Sequence, residues 1–343
     1  MRGAPDARCR GTDRSQGHFR FFTSRQRTAA PGQDAGRFFF VRPTAIVPPH
    51  APRPLHSRTA MKTRIARALL KAFAALPFRV AQAAGAGLGL LHWLLPNRLR
   101  RNSGHNIDGC YPDQPRHWRR ALLRRSLVET GRTLAESAWL WGRDPAEALA
   151  LVREVRGMEH AERARAAGHG VIVSTPHFGA WELAAAWGAQ QMPLTVLFRP
   201  PRSAALAAPL RAARERVGVR PVPTDAGGIR SLYRALRAGE AIAILPDQLP
   251  RSGQGVYAPF FGQPALTMTL VSRLAESSGA PVLMAAMQRL PRGRGFRMHL
   301  WPAEPDVSSP DAASAAAAIN REIERCIALA PEQYMWNYKR FRR

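Results

Sequence analysis

A histidine and a glutamate five residues apart, His177 and Glu182, sit in the stretch Val171-Ile-Val-Ser-Thr-Pro-His-Phe-Gly-Ala-Trp-Glu-Leu183. On one continuous helix that separation would set the two side chains about 140° apart, on different faces. Pro176 points to another arrangement, because it disfavours helix at Thr175 and fixes its own φ. The β-branched run then reads as a buried strand, His177 as part of the following turn, and Glu182 as an acid in the first turn of a helix. In that geometry the side chains can meet. The chemistry would be general-base catalysis: an imidazole takes a hydroxyl proton, and a carboxylate fixes its tautomer and stabilises the imidazolium. A histidine packed at a strand end beside a helix-start acid favoured by the dipole would leave the same two letters. The pair alone does not choose between these. Metal chemistry is not expected, since there is no His-Glu-x-x-His and no Cys/His cluster, and no cofactor motif is present.

The segments downstream add polar groups at strand ends. Leu194–Phe198 reads as a strand closed by Arg199-Pro-Pro-Arg202, and Ala241–Leu245 as a third buried strand closed by Pro246-Asp247-Gln248. Between them lie an arginine-rich helix over Ala204–Val217, a short strand around Val219–Val222, and a helix reaching Arg237 with Asp225 as N-cap and Arg230 in its first turns. Further on, Tyr257–Gly262 reads as an aromatic, apolar turn and Thr267–Ser278 as a helix. Pro281–Met287 reads as a strand, Phe296–Trp301 as an edge strand, Ala312–Leu329 as an amphipathic helix and Pro331–Phe341 as an aromatic-basic tail. Strands alternating with helices give an α/β fold with a mostly parallel sheet flanked by helices. Ligands of such sheets bind at the C-terminal strand edge, where these polar groups fall.

The chain has 343 residues, enough for one large core, and its three cysteines have no paired spacing, which fits a reducing compartment. The formal charge of +27 is carried almost wholly by arginine and implies anionic partners such as phospholipid surface, phosphorylated substrate or acidic protein. Residues 1–60 hold eleven arginines against three aspartates and lack lasting periodicity. They read as a disordered or mis-annotated leader, with Met61 a natural start. Residues 61–97 read as a membrane-anchoring or interfacial helix. The apolar part, Val80–Leu95, falls short of the roughly 20 residues a spanning helix needs. It is flanked by basic residues on both sides, with Trp93 at an interfacial position. A short helix over Arg98–Ile107, broken at Asp108-Gly109, leads to a long periodic helix over Pro115–Trp141, whose inward candidates include Leu122, Leu127 and Leu134. Residues 98–343 read as the domain that carries the His177–Glu182 pair. A nucleic-acid-binding role is disfavoured by the absence of a zinc finger, helix-turn-helix or RNP-like motif. A non-catalytic membrane scaffold is disfavoured by the intact His177–Glu182 spacing.

His177–Glu182, Phe198-Arg-Pro200, Gly227-Gly-Ile-Arg230, Pro246-Asp-Gln248, Pro259-Phe-Phe-Gly262 and Pro331-Glu-Gln-Tyr-Met-Trp336 occur in that order. Together they resemble the late acyltransferases of bacterial lipid A biosynthesis, within the glycerolipid acyltransferase superfamily, from about Met61 onward. The resemblance implies an inner-membrane enzyme facing the cytoplasm. It would move a fatty acyl chain from acyl carrier protein to a hydroxyl of a Kdo-bearing lipid A precursor. It carries the catalytic pair over to His177 and Glu182, where the wider superfamily usually has Asp at the second position. It implies substrate contacts from Arg199, Arg202, Arg230, Asp247 and Gln248, with Arg199 and Arg202 meeting acidic groups of the acceptor. Backbone amides near Phe178–Ala180 are the expected oxyanion donors. Phe260 and Phe261 are expected either in the acyl channel or in the core. A relative with another glycolipid or aminolipid acceptor would carry the same motifs.

Overall fold

The computed structural model describes residues 57–200, 204–251 and 253–341. The leader expected over residues 1–60 lies outside them up to residue 56, and Arg202 lies outside them as well. In chain order the elements are α1 (Ser57–Ala75), α2 (Phe78–Leu94), α3 (Arg98–Cys110), α4 (Arg116–Gly142), α5 (Pro145–Leu149), β1 (Val152–Arg156), α6 (Met158–Ala166), β2 (Val171–Ser174), α7 (Trp181–Gln191), β3 (Leu194–Phe198), α8 (Ala204–Arg216) and β4 (Val219–Pro223). Then follow α9 (Ala226–Arg237), β5 (Ala241–Ile244), β6 (Gly255–Phe260), β7 (Gln263–Met268), α10 (Leu270–Ser278), β8 (Val282–Arg289), β9 (Phe296–Pro302) and α11 (Ala312–Leu329), and a 3-10 turn, Pro331–Gln333, leads into the tail.

Seven strands form one sheet in the order β1-β9-β8-β2-β5-β3-β4. The run from β8 to β4 is parallel, and β9 is antiparallel to β8. Both faces of the parallel strands are buried, as helix-covered sheets require. Along β2 and β5, Ile172, Ile242 and Ile244 point to one face, packed by α9, α10 and α11, while Val171, Ala241 and Ala243 point to the other, packed by α6 and α7. Each of those isoleucines is almost wholly buried, which stabilises the sheet by roughly 1.5–3 kcal/mol per side chain.

Several expectations are corrected. Phe296–Trp301 is not an edge strand, because β1 pairs outside it; β1 is half polar and gave no strand signal of its own. Tyr257–Gly262 is the first arm and turn of a β6–β7 hairpin. Its Phe261 (φ 48°) and Gly262 (φ 70°) take the left-handed backbone that a two-residue hairpin turn requires. Thr267 and Met268 therefore belong to β7, and the helix starts at Leu270. Gly109 does not break α3, which runs to Cys110.

Helix α2 lies along α4, and glycines set the distance. A Cβ at Gly89 would come within 2.3 Å of the Leu127 carbonyl oxygen, and one at Gly131 within 2.1 Å of that of Gly85. The opposite face of α2 is apolar and exposed at Val80, Leu88, Leu91, Leu94 and Leu95, as are Met61 and Ile65 on α1. Among the described residues no helix is long and apolar enough to cross a membrane. Leu134, expected inward on α4, is exposed, whereas the buried side of α4 carries Ser126, Glu129, Thr133 and Glu136.

Candidate active site

Strand β2 ends at Ser174 directly beside Ile244 of β5. Each strand then continues through the same pattern, Thr175-Pro176-His177 and Leu245-Pro246-Asp247. Three residues past paired positions, the imidazole and a carboxylate meet. His177 Nδ1 lies 2.8 Å from Asp247 Oδ1, and the His177 backbone N–H donates to Asp247 Oδ2 at 2.9 Å. Asp247 is 4% exposed. Burial by itself pushes its carboxyl up, yet the His177 imidazole and these hydrogen bonds hold it below the usual carboxylate range. An ionised Asp247 makes Nδ1 the protonated nitrogen and leaves the lone pair on Nε2. Nε2 lies 3.1 Å from Gln248 Nε2, whose amide donates to it. The ring packs edge-to-face on Trp181 at 5.1 Å.

The expected partner, Glu182, is not at the imidazole. Its carboxylate is gripped by Arg214 of α8, with Nε donating to Oε2 at 3.1 Å and an Nη2–Oε1 bond closing the fork. The Arg214 guanidinium also stacks over Phe198 at 5.0 Å. The physical reason is register. The turn leaves β2 toward its sheet neighbour β5, so the imidazole points along the strand edge, while the first turn of α7 turns Glu182 toward α8. The His-x4-Glu spacing marks two adjacent devices rather than one contact.

The expected oxyanion donors are also occupied. Phe178 N–H donates to the Pro176 carbonyl at 2.7 Å, Gly179 N–H to Gln333 at 3.0 Å and Ala180 N–H to Met287 at 3.0 Å. Those bonds fix the turn. Gly179, at φ 55°, lies so close to β8 that a Cβ there would come within 1.9 Å of the Met287 carbonyl oxygen.

Sequence reasoning missed the tail as part of this site. Met335 N–H donates to the His177 carbonyl at 2.9 Å, and Tyr334 bridges Phe178. The buried Tyr334 hydroxyl is pushed well above its usual range, first by burial and then by the Asp247 charge beside it, so it stays a proton donor toward that carboxylate. Behind it Arg340 is 2% exposed, hydrogen-bonded to Leu266, Thr267 and Asn320 and stacked on Phe260. Phe260 is thus a core residue, and Phe261 stands in an aromatic group with Tyr111 and Trp336. Arg199 is exposed one residue past β3, at the same end of the sheet as Asp247 after the neighbouring β5, and Arg230 is exposed in α9; among the described residues neither makes a hydrogen bond or ion pair with His177 or Asp247. No group of three or more His, Cys, Asp or Glu able to hold a metal ion occurs among the described residues.

A histidine held by a buried carboxylate at the C-terminal edge of a parallel α/β sheet is an arrangement able to take a proton from a nucleophile. Residues 48–343 match the family model described as bacterial lipid A biosynthesis acyltransferase. The lipid A biosynthesis lauroyltransferase of Escherichia coli (strain K12) is 30% identical over 270 residues, covering 78% of this chain and 87% of that protein. The palmitoleoyltransferase of the same organism is 28% identical over 274 residues, covering 78% and 86%. A phosphatidylinositol mannoside acyltransferase of Mycobacterium tuberculosis is 28% identical over 189 residues, covering 54% and 58%. The chain belongs to the bacterial lipid A biosynthesis acyltransferase family, and it is an acyltransferase.

Proposed function

We propose that the chain transfers a fatty acyl group from acyl carrier protein to a hydroxyl of a Kdo-bearing lipid A precursor, with His177 as the general base and without a covalent acyl-enzyme. The observation that carries the reading is the Nδ1–Asp247 bond, which aims the free Nε2 lone pair at the strand edge. The acceptor hydroxyl displaces the Gln248 amide from Nε2, gives its proton to that nitrogen and attacks the thioester carbonyl. Asp247 stabilises the imidazolium while the tetrahedral intermediate stands. Collapse breaks the carbon–sulfur bond, and the proton on Nε2 passes to the leaving thiolate. With the amides of Phe178–Ala180 engaged elsewhere, the orphan N–H groups of the first turn of α7 are the backbone donors left for the developing oxyanion. Glu182 holds Arg214 beside that turn.

The apolar face of α1 and α2 supports docking on the cytoplasmic face of the inner membrane by lying in the interface rather than spanning it. Trp93 at the end of α2 is flanked by the guanidiniums of Arg100 and Arg120, at 4.8 and 5.6 Å from its ring centre, which suits an anchor at anionic headgroups. The exposed arginines of α4, among them Arg124 and Arg125, fit an acidic carrier protein. The match to the mannoside acyltransferase supports a second reading, in which the acceptor is another glycolipid. The test is transfer from defined acyl donors to a lipid A precursor and to a phosphatidylinositol mannoside, followed by product mass. Wild type should acylate the precursor, and His177→Ala should lose transfer while remaining folded and vesicle-bound. Retained transfer in that variant would sink the assignment.

A further inference from the structure

A cleft of about 410 Å³ opens on the other side of the Gly179 turn from His177 and takes no part in the chemistry above. Its floor is Arg289 at the end of β8. That guanidinium is buried and paired with Glu129 and Glu136 of α4, so its charge is matched from behind. The wall toward His177 is Gln333. Its side chain is fixed at both ends by the Arg289 backbone, accepting from N–H at 2.8 Å and donating to the carbonyl at 2.9 Å, while its own carbonyl accepts from Gly179.

The rim is cationic. Arg132 is paired along α4 with Glu129 and remains 37% exposed. Arg79, in the first turn of α2, and Arg292, at the β8–β9 turn, meet no carboxylate within ion-pair distance among the described residues. Both line the same cleft, and the β8–β9 turn lies against α2: a Cβ at Gly293, the residue after Arg292, would come within 3.2 Å of Arg79 Cγ. Guanidiniums without a carboxylate partner in one cleft suit an anion, and their forks suit phosphate oxygens. The same cleft is lined by one carboxylate without a cation partner among the described residues, that of the half-buried Glu332. A carboxylate without a cation is free to accept from hydroxyls, which is how a sugar is held. The cleft also adjoins the exposed apolar face of α2 that begins at Val80.

We infer that this cleft binds the phosphorylated sugar headgroup of a lipid, with Arg79 and Arg292 on the phosphate and Glu332 on sugar hydroxyls, next to the base. The inference rests on the acyl-transfer reading for the identity of that lipid as the acceptor, but its test reads binding, not turnover. The probe is neutral phosphatidylcholine vesicles carrying a phosphorylated disaccharide lipid, compared with the dephosphorylated lipid and with phosphatidylglycerol at matched charge. Arg79→Gln/Arg292→Gln is compared with Arg124→Gln/Arg125→Gln, which removes the same charge from the exposed face of α4.

Wild type should prefer the phosphorylated sugar lipid. The cleft variant should bind it about tenfold more weakly or worse, with the α4 variant close to wild type. Glu332→Gln should weaken binding of the dephosphorylated lipid as well. Equal losses in the two double variants would overturn the site in favour of general charge. An equal loss on phosphatidylglycerol would assign it to bulk phospholipid, and full displacement by inorganic phosphate to a free anion, each overturning the sugar headgroup. If acyl transfer is intact while the cleft variant binds normally, the cleft falls and the transfer reading stands. If no donor supports transfer while the binding difference persists, the reverse holds.

Discussion

Replacing Asp247 with asparagine separates the observed site from the one that the His-x4-Glu spacing implies. The carboxylate uses both oxygens on His177, one on the backbone N–H at 2.9 Å and one on Nδ1 at 2.8 Å. The backbone N–H can only donate, so the single oxygen of the new carboxamide must turn toward it. The carboxamide NH2 then faces Nδ1, which becomes the acceptor, and the ring proton moves to Nε2, where the substrate hydroxyl needs a lone pair. A charge-assisted hydrogen bond alone is worth about 1.5–3 kcal/mol, or roughly 10- to 150-fold. The wrong tautomer adds to that, so kcat should fall by about 10³–10⁴.

Glu182→Gln is the control. It weakens the Arg214 fork and lowers stability, but it leaves the imidazole's partner in place, so kcat should fall far less than in Asp247→Asn. The assay is kcat for acyl transfer, with circular dichroism confirming that both variants fold. Asp247→Asn within about tenfold of wild type, or a loss in Glu182→Gln as large as that in Asp247→Asn, would refute the argument.

Other outcomes follow from the same structure. Arg289→Met should lower unfolding stability by about 3–5 kcal/mol in a denaturant titration, since it leaves the buried Glu136 carboxylate without a cation and Glu129 with Arg132 alone. Gly89→Val should drive α2 off α4, visible as a lower Tm and protease cleavage near Leu95, because its side chain would enter the Leu127 backbone. The stability that Asp247 contributes is complete above the ordinary carboxylate range and should be lost as pH falls through and below it, measured by acid unfolding of wild type against Asp247→Asn. Burial pushes the Cys110 and Cys326 thiols far above their usual range, so both should resist alkylation in the native protein and react on denaturation, as read by peptide mass mapping.

How much of this was legible in the residues depends on where the deciding information lies. The parallel strands announced themselves because both of their faces are buried, giving short apolar runs such as Ala241–Ile244 and Leu194–Phe198 with polar groups just beyond. β1 was not legible: its Val-Arg-Glu-Val-Arg pattern has no apolar run, and it becomes a strand only because β9 offers it a partner. The hairpin β6–β7 was hidden for the opposite reason, its Phe-Phe-Gly turn being as apolar as its arms.

The histidine was legible and its partner was not, and the difference is physical. Spacing along one chain reports local geometry, and at five residues it brought Glu182 near enough to be a candidate. Which carboxylate meets the imidazole is decided by strand order and register, which place β5 rather than α7 against the open side of the turn. A signal did exist. Two strands ending in x-Pro-His and x-Pro-Asp share one pattern, and two neighbouring parallel strands with a common ending set the residues after their prolines side by side. The same reasoning explains why Tyr334 and Arg340 escaped notice in an aromatic-basic tail. Their meaning comes from the antiparallel bridge that lays the tail against the turn. A histidine, the carboxylate beside it and the tyrosine behind that carboxylate come from three segments whose only common property is arrival at one edge of the sheet.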